Sequence, residues 1–396
     1  MRWDEERRAR AALSRVVAPG DPKVASAVEE FGAAQVWHGL LGGPASSALA
    51  RRARGVDVEA LVELADRLGV QFLVPGDPQW PTSLDDLSVV GHGQAGGRPS
   101  GLWVSGCPDL SDLVEGSVGI VGCRAATSYG QDVATQLGYD LAGGGRGHPP
   151  VTVVSGGAFG IDVAAHRGAL AAQGRSVAVL AGGLDELYPR GNVTVLDGLR
   201  GDGALVSEVA PGVHPTRPGF LARNRVIAAL TSGTVVVEAG LRSGALNTVA
   251  WAQRLGRPVM AVPGPVTSSR SWGPHQLIRD AEAVLVRGVE DVRSVVGEIE
   301  PDPPRPAAAA KPTDDLPADL LAVHEAMPGS GSVSADELVG VTGMRMGECL
   351  AVLVQLEAAG LVRSCPDGRW ALERSGQRGT ADSSSSSRRL ACGPPR

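Results

Sequence analysis

Between Ser117 and about Val296 the chain alternates runs of continuous apolar residues with stretches of helical spacing. The apolar runs are "SVGIVG", "VTVVSG", "SVAVLAGG", "ALVSE", "GTVVVEAG", "PVMAVPG" and "AVLV". Continuous rather than alternating hydrophobicity means that a strand is buried on both faces. Helical spacing fills the intervals, as at 127–142, 161–173 and 244–255. This order predicts a doubly wound, mostly parallel α/β sheet over residues 117–300.

The flanks read differently. Residues 1–72 hold several short amphipathic helices broken by Gly and Pro, which suggests a small helical domain. Residues 73–116 are rich in Pro and Gly and read as a connector with one or two short strands. Residues 301–315, "PDPPRPAAAAKPTDD", are a linker by composition. In 316–373 three helical stretches precede a hairpin around Pro366-Asp367-Gly368, a winged-helix pattern. The Ser-rich segment 374–396 is expected to be disordered.

Composition changes this picture little. The 396 residues carry a formal charge of -6, so any nucleic-acid surface must be local. Cys107, Cys123, Cys349, Cys365 and Cys392 are scattered without a C-x-x-C pair, which argues against a zinc site or a disulfide framework. No long apolar run or signal-like start is present, so a soluble cytoplasmic protein with no membrane partner is expected.

Glycines cluster where the predicted strands end: Gly122, Gly156-Gly157, Gly182-Gly183, Gly240 and Gly244. Glycine turns at the carboxyl ends of strands let backbone N–H groups approach an anion at the next helix start. They also serve as plain structural turns. The spacing matches neither the dinucleotide fingerprint nor a Walker A loop, so no cofactor is expected. From Pro211 to Asp280 there are eight arginines against Glu238 and Asp280, a local charge of +6. Phe220 sits among Arg217, Arg223 and Arg225 in "HPTRPGFLARNR". Such a stretch suits a nucleic-acid strand, with arginines on phosphate and the ring on a base. The other reading is a solvated face with Phe220 in the core.

"VVSGGAFGIDVAAHRGAL" raises the question of catalysis. Asp162 and His166 are one turn apart, near Ser155. However, Ser155 precedes its glycines rather than sitting in a nucleophile elbow, and no third metal ligand shows a matching spacing. Asp162 and His166 therefore read as helix-start residues that hold the turn in shape, with no catalytic or metal role.

These segments together resemble the DprA/Smf family of bacterial DNA-processing proteins. The resemblance runs over about 100–290 in "GIVGCRAATSYG", "VVSGGAFGIDVAAHRGAL", "AGGLDELYPRGN", "FLARNRVIAAL", "VVVEAGLRSGALNTVAWAQRLGRPVMAVPG" and "GPHQLIRDAEAVL". It implies an extended Rossmann-like fold, an N-terminal helical domain of the SAM or helix-hairpin type, and a C-terminal winged helix. It also implies a protein without enzymatic activity that binds single-stranded DNA and delivers it to the RecA recombinase, typically in natural transformation. A homodimer through the Rossmann-like domain is implied as well. Carried over by position, Arg124, Arg217, Phe220, Arg223 and Arg225 line the DNA site, with Ser155, Gly156 and Gly157 beside it. Asn224, Ser243 and Gly244 complete the expected set.

The alternative is a nucleotide-processing hydrolase like the lysine-decarboxylase-like phosphoribohydrolases. Their PGGxGTxxE segment has no counterpart in "EAGLRSGALNT". The third helix of the winged unit, "RMGECLAVLVQLEAAG", holds one cation, Arg345, beside Glu348 and Glu357. It reads as an interaction module, with DNA contact open only at Arg363 and Arg369.

Overall fold

In a computed structural model, residues 3–92, 95–107, 109–145, 147–297 and 316–373 are described. The chain divides into two compact units, Met1–Pro301 and Asp302–Arg396. The expected linker 301–315 and tail 374–396 lie outside the described residues.

The first unit opens with five helices: α1 (Glu5–Val16), α2 (Pro22–Phe31), α3 (Ala33–Leu41), α4 (Ala48–Arg54) and α5 (Val58–Leu68). Asp4, Asp21, Ser47 and Asp57 cap four of them by accepting backbone N–H bonds. These helices pack on the sheet. Ala11 and Leu61 share one apolar cluster with Phe72, Trp103 and Leu205.

The segment read as a connector supplies sheet strands. β1 (Gln71–Leu73) pairs antiparallel with β4 (Leu102–Gly106), after a small ribbon of β2 (Gly91–His92) and β3 (Ala95–Gly96). The short α6 (Leu110–Val114) leads into the parallel part. This is β5 (Val118–Val121), α7 (Ser128–Gly143), β6 (Val153–Ser155), α8 (Ile161–Ala171), β7 (Ser176–Leu180), α9 (Val193–Gly198) and β8 (Ala204–Ser207). It continues through α10 (Arg217–Leu230), β9 (Gly233–Val236), α11 (Ala245–Arg254), β10 (Val259–Ala261), α12 (Trp272–Arg279), β11 (Val284–Leu285) and α13 (Val289–Val296).

All seven apolar runs are strands of one nine-stranded sheet, ordered β1-β4-β8-β7-β6-β5-β9-β10-β11. The seven strands β5 to β11 run parallel, and β4 joins β8 antiparallel. Every residue of β5 to β10 is buried, as continuous hydrophobicity requires. Strand order reverses between β5 and β9, because β6 to β8 build outward on one side and β9 to β11 on the other. In open parallel sheets the crevice at that reversal is where ligands sit.

Glycine sets the contact between α7 and α8. A Cβ at Gly138 would lie 2.2 Å from the Ala165 carbonyl oxygen, and one at Gly168 would lie 2.0 Å from that of Thr135. Backbone-to-backbone approach of this kind holds both helix N-termini at one edge of the sheet. On the opposite face α10 and α11 pack through Val226, Ile227, Val249 and Trp251.

The second unit holds α14 (Ala318–Glu325), α15 (Ala335–Thr342), α16 (Met346–Ala358) and the hairpin β12 (Val362–Ser364) and β13 (Trp370–Leu372). Leu320, Leu338, Leu353 and Val362 form its own core.

His166 has a structural role at a distance from the glycine turn. It is fully buried, and its Nδ1 lies 2.8 Å from Ser176 Oγ at the start of β7. The Ser176 hydroxyl donates to the Val153 carbonyl at 2.8 Å, so it accepts from His166 and Nδ1 carries the proton. Nε2 has no partner. Burial, with the Arg223 charge adding to it, lowers the His166 pKa to about 3. The unfolded chain takes up this proton below about pH 6.5, and the folded one does not until about pH 3. Stability from this group is therefore complete above pH 6.5 and lost as pH falls toward 3. Urea unfolding should show a loss of about 2 kcal/mol between pH 7 and pH 5 that is absent in His166→Asn. Equal pH slopes in the two proteins would contradict the assignment.

Candidate nucleic-acid interface

The helices that follow β5, β6 and β9 all start at the carboxyl edge of the sheet. So does α10, whose first turn is capped by the Thr216 hydroxyl accepting from Gly219 N at 3.1 Å. Four positive helix ends thus face the strand reversal. Between them lies a crevice of about 260 Å³, lined by Gly122, Arg124, Asp162, Arg223, Asn224 and Gly244 among others. A smaller slot of about 30 Å³ adjoins it, sharing Arg124, Ala158 and Phe220.

Helix α10 decides which arginines reach this place. Residues two apart on a helix point about 200° away from each other. Arg223 and Arg225 therefore face opposite sides. Arg225 is fully buried, and its two Nη atoms each meet a Glu208 carboxylate oxygen at 2.7 Å. Its Nε donates to the Gly97 carbonyl at 3.2 Å. Arg225 is thus a structural staple behind the helix, not a site residue. Glu208 is committed to it.

Arg223 points to the crevice floor and is 7% exposed. Its Nη1 donates to the Val179 carbonyl at 2.5 Å. The guanidinium lies flat against Gly156, where a Cβ would come within 1.9 Å of Nη1. This corrects the expectation for the glycine turn. Gly156 is missing a side chain because Arg223 fills the space, so the turn is not an open phosphate cradle. Gly157 has φ +68° and turns its carbonyl to Asn192 Nδ2 at 3.0 Å. Ser155 is buried, and its hydroxyl donates to the Ile120 carbonyl at 2.6 Å. Ser155 and Gly157 thus serve the fold.

The remaining expected residues come together. Arg124 is exposed and lies 4.6 Å above the Phe220 ring centroid, a cation–π stack. Arg217 is exposed on the first turn of α10, one turn before Phe220. The Asn224 amide donates to Gly244 O at 3.2 Å and to Asn247 Oδ1 at 3.3 Å, tying α10 to the start of α11. Ser243 Oγ accepts from Ala245 N at 3.4 Å. Gly244 is open, with nothing within 4 Å of a Cβ position. Asp162 lines the crevice from the first turn of α8, where its carboxylate accepts from Ala158 N at 3.4 Å. Burial pushes its pKa up, while the charge of Arg223 pulls it down.

Two residues lining the slot escaped the sequence reading. Phe159 and Tyr188 line the slot with Phe220, and both are about half exposed. The Tyr188 and Phe220 rings are 5.9 Å apart at 54°. The chain has four Phe and three Tyr, so three of seven such rings stand at one surface point. That scarcity was the available signal, since Phe159 and Tyr188 lie inside glycine-rich segments that had already been singled out.

The local charge of +6 is spread more widely than its sequence span suggests. Arg257 pairs with Asp86 and Arg279 with Asp280, away from the crevice lining. Glu238 is buried beneath the reversal, where its carboxylate accepts from Thr127 N at 2.8 Å and from Thr127 Oγ1 at 2.6 Å. It locks the end of β9 to the start of α7. In the second unit Arg345 pairs with Glu348, Arg363 with Glu373 and Arg369 with Glu337. Among the described residues no group of His, Cys, Asp or Glu is placed to hold a metal ion, and no helix is long and apolar enough to cross a membrane.

A family model for DNA recombination-mediator protein A matches residues 71–297, the whole of this sheet. The chain belongs to the DprA family. A second model, the DprA winged helix domain, matches residues 304–368. The chain is 43% identical over 384 residues to the putative DNA processing protein DprA of Mycobacterium tuberculosis (strain H37Rv), covering 94% of this chain and 96% of that one. It is 35% identical over 281 residues to Protein Smf of Escherichia coli (strain K12), covering 70% and 72%. Among solved structures, DNA processing protein A of Streptococcus pneumoniae aligns with a TM-score of 0.60 at 28% identity. The alignment covers 75% of this chain and all of that one. The DprA-family fold is therefore shared along the unit that carries the crevice.

Arg225 gives the clearest check on this division of roles. Arg225→Met leaves Glu208 facing a buried apolar side chain, and the folded state should lose about 3–5 kcal/mol. Urea denaturation measures it, and a loss under about 1 kcal/mol would show that the pair does not hold α10.

Proposed function

We propose that the protein binds single-stranded DNA along the crevice and slot, shields it, and hands it to the RecA recombinase. Natural transformation and homologous recombination are the settings this reading implies, in the cytoplasm. The observation that carries it is the Arg124–Phe220 stack. It places an exposed guanidinium over a half-buried aromatic ring at the carboxyl edge, beside Arg217 and the exposed rings of Phe159 and Tyr188. A duplex hides its base faces, whereas an unpaired strand offers bases to stack and phosphates to pair. The description of the matching family as recombination mediators supports the RecA step.

The reading includes a homodimer through the Rossmann-like unit. Edge strand β11 supports it, because Val284 and Leu285 are both exposed and Trp272 on α12 is half exposed. It also includes the absence of catalysis. The two carboxylates at the strand ends, Glu208 and Glu238, are engaged by Arg225 and Thr127 and not free to act as a base. The hydrolase alternative needs such a group.

The second unit is proposed as an interaction module rather than a duplex reader. The outward face of α16 carries Leu350 and Val354, both exposed, and its one cation is paired with Glu348. A duplex-reading helix needs free cations and polar groups there.

Phe220→Ala should weaken single-strand binding by about 1–3 kcal/mol with little change in salt dependence. Arg217→Ala should instead flatten the dependence of log affinity on log salt by about one ion. Anisotropy titrations at several salt concentrations separate the two. Wild-type affinity and slope in both variants would remove the crevice edge from the binding surface.

A further inference from the structure

Helix α16 carries an apolar stripe that the described residues of its unit leave uncovered. Met346, Leu350 and Val354 are spaced four apart, so they lie along one side of the helix. They are 37%, 41% and 58% exposed. Val341, at the end of α15 just before the Gly343 turn, is 73% exposed. Cys349, Val352, Leu353 and Leu356 point inward and fill the unit's core without the stripe. Single apolar residues on a surface need no explanation, but a row of them marks a contact face.

Charge narrows what can cover it. Residues 316–373 carry eight Asp and Glu against three Arg, a net charge of -5. Each of those arginines is already engaged by one acid, Glu348, Glu373 or Glu337. The other five acids face no cation among the described residues. One of them is Glu357, a turn beyond Val354, which accepts from Ser364 N at 2.8 Å and from Ser364 Oγ at 2.7 Å. A second copy of this unit would bring like charge to the stripe. Four side chains also fall short of the roughly 20–30 residues a side that a stable interface uses. A basic segment with a small apolar anchor fits instead.

The chain itself supplies such a segment. Residues 374–396 follow directly on Glu373, whose N–H closes the unit by donating to the Leu361 carbonyl at 2.9 Å. They carry Arg374, Arg378, Arg388, Arg389 and Arg396 against Asp382, a net charge of +4. Leu390 is their one large apolar residue, and it follows Arg388-Arg389. The segment on the other flank, 298–315, carries -3 and is repelled. Leu390 stands seventeen positions after Glu373, beyond a spacer rich in Gly and Ser. A chain of that length and composition has a root-mean-square reach of about 20–25 Å. A folded unit of this size is about 25 Å across. The spacing therefore holds Leu390 at high effective concentration around the unit. We propose that the tail 374–396 docks on its own winged unit, with Leu390 on the Met346–Leu350–Val354 stripe and the arginines against the unpaired acids. The proposal rests on reading α16 as an interaction face and goes further by naming what occupies it. Any other partner of this face has to displace the tail.

Hydrogen–deuterium exchange on the full chain and on a chain ending at Glu373 tests this. The truncation removes no residue of the unit's core, so the unit stays folded. Peptides covering 341–358 should take up deuterium about threefold or more slowly in the full chain at about 50 mM salt, where charge is little screened. Leu390→Asp should lose that protection, and about 1 M salt should shrink it in the wild-type chain. The protection should not change with protein concentration, because the contact lies within one chain. Equal uptake by the full and truncated chains at low salt overturns the proposal and leaves α16 as an open interaction face. Protection that survives truncation and rises with protein concentration also overturns it, by giving the face to a second copy. Protection that outlasts Leu390→Asp overturns docking on the stripe, since the arginines alone would then account for it.

Discussion

Two arginines two residues apart hold helix α10 from opposite sides, and the site depends on that grip. Arg225 is clamped behind the helix by Glu208 and the Gly97 carbonyl. Arg223 reaches forward over Gly156 to the end of β7. With both ends of this double anchor inside the protein, the first turn of α10 is fixed in front of the strand reversal. Phe220 and Arg217 are thereby presented on a rigid element rather than a loop, which keeps a stacking surface in one orientation.

Topology supplies the rest. The reversal between β5 and β9 brings the turns after β5, β6 and β9 to one edge. Glu238 and Thr127 lock two of these turns, and the glycine contact of α7 with α8 fixes the helices behind them. What reaches solvent from this frame divides in two. The slot side offers rings and an exposed guanidinium, which suit bases and backbone. The crevice side holds a buried guanidinium, Arg223, opposed by the charge of Asp162, beside the starts of α8 and α11.

Much of this was legible in the sequence. Seven continuous apolar runs gave seven parallel strands, because burial on both faces leaves no alternation to confuse them. Arg217 and Phe220 stood out in the sequence from the arginine-rich stretch that holds them, and Arg124 from the family resemblance. The roles of Gly156, Gly157 and Ser155 were not, since a glycine demanded by a neighbouring side chain looks the same in sequence as one that makes room for a ligand. Arg225 was grouped with Arg223 by adjacency, although helical geometry separates them. Helix α10 concealed that geometry, because ten of its fourteen residues are buried and no amphipathic period marks its faces. A short strand was expected in the connector, but its membership of the main sheet was not, since that follows from the pairing of β1 with β4 and of β4 with β8.

The central claim is that a half-buried ring stacked with an exposed guanidinium at the strand reversal selects unpaired nucleic acid. A titration of the full chain against single-stranded and duplex DNA of the same sequence, at several salt concentrations, tests it most directly. The account predicts tighter binding of the single strand at every salt, with a preference that persists at high salt because stacking is not screened. Equal affinity for the two forms, or a preference that vanishes as salt rises, would contradict it.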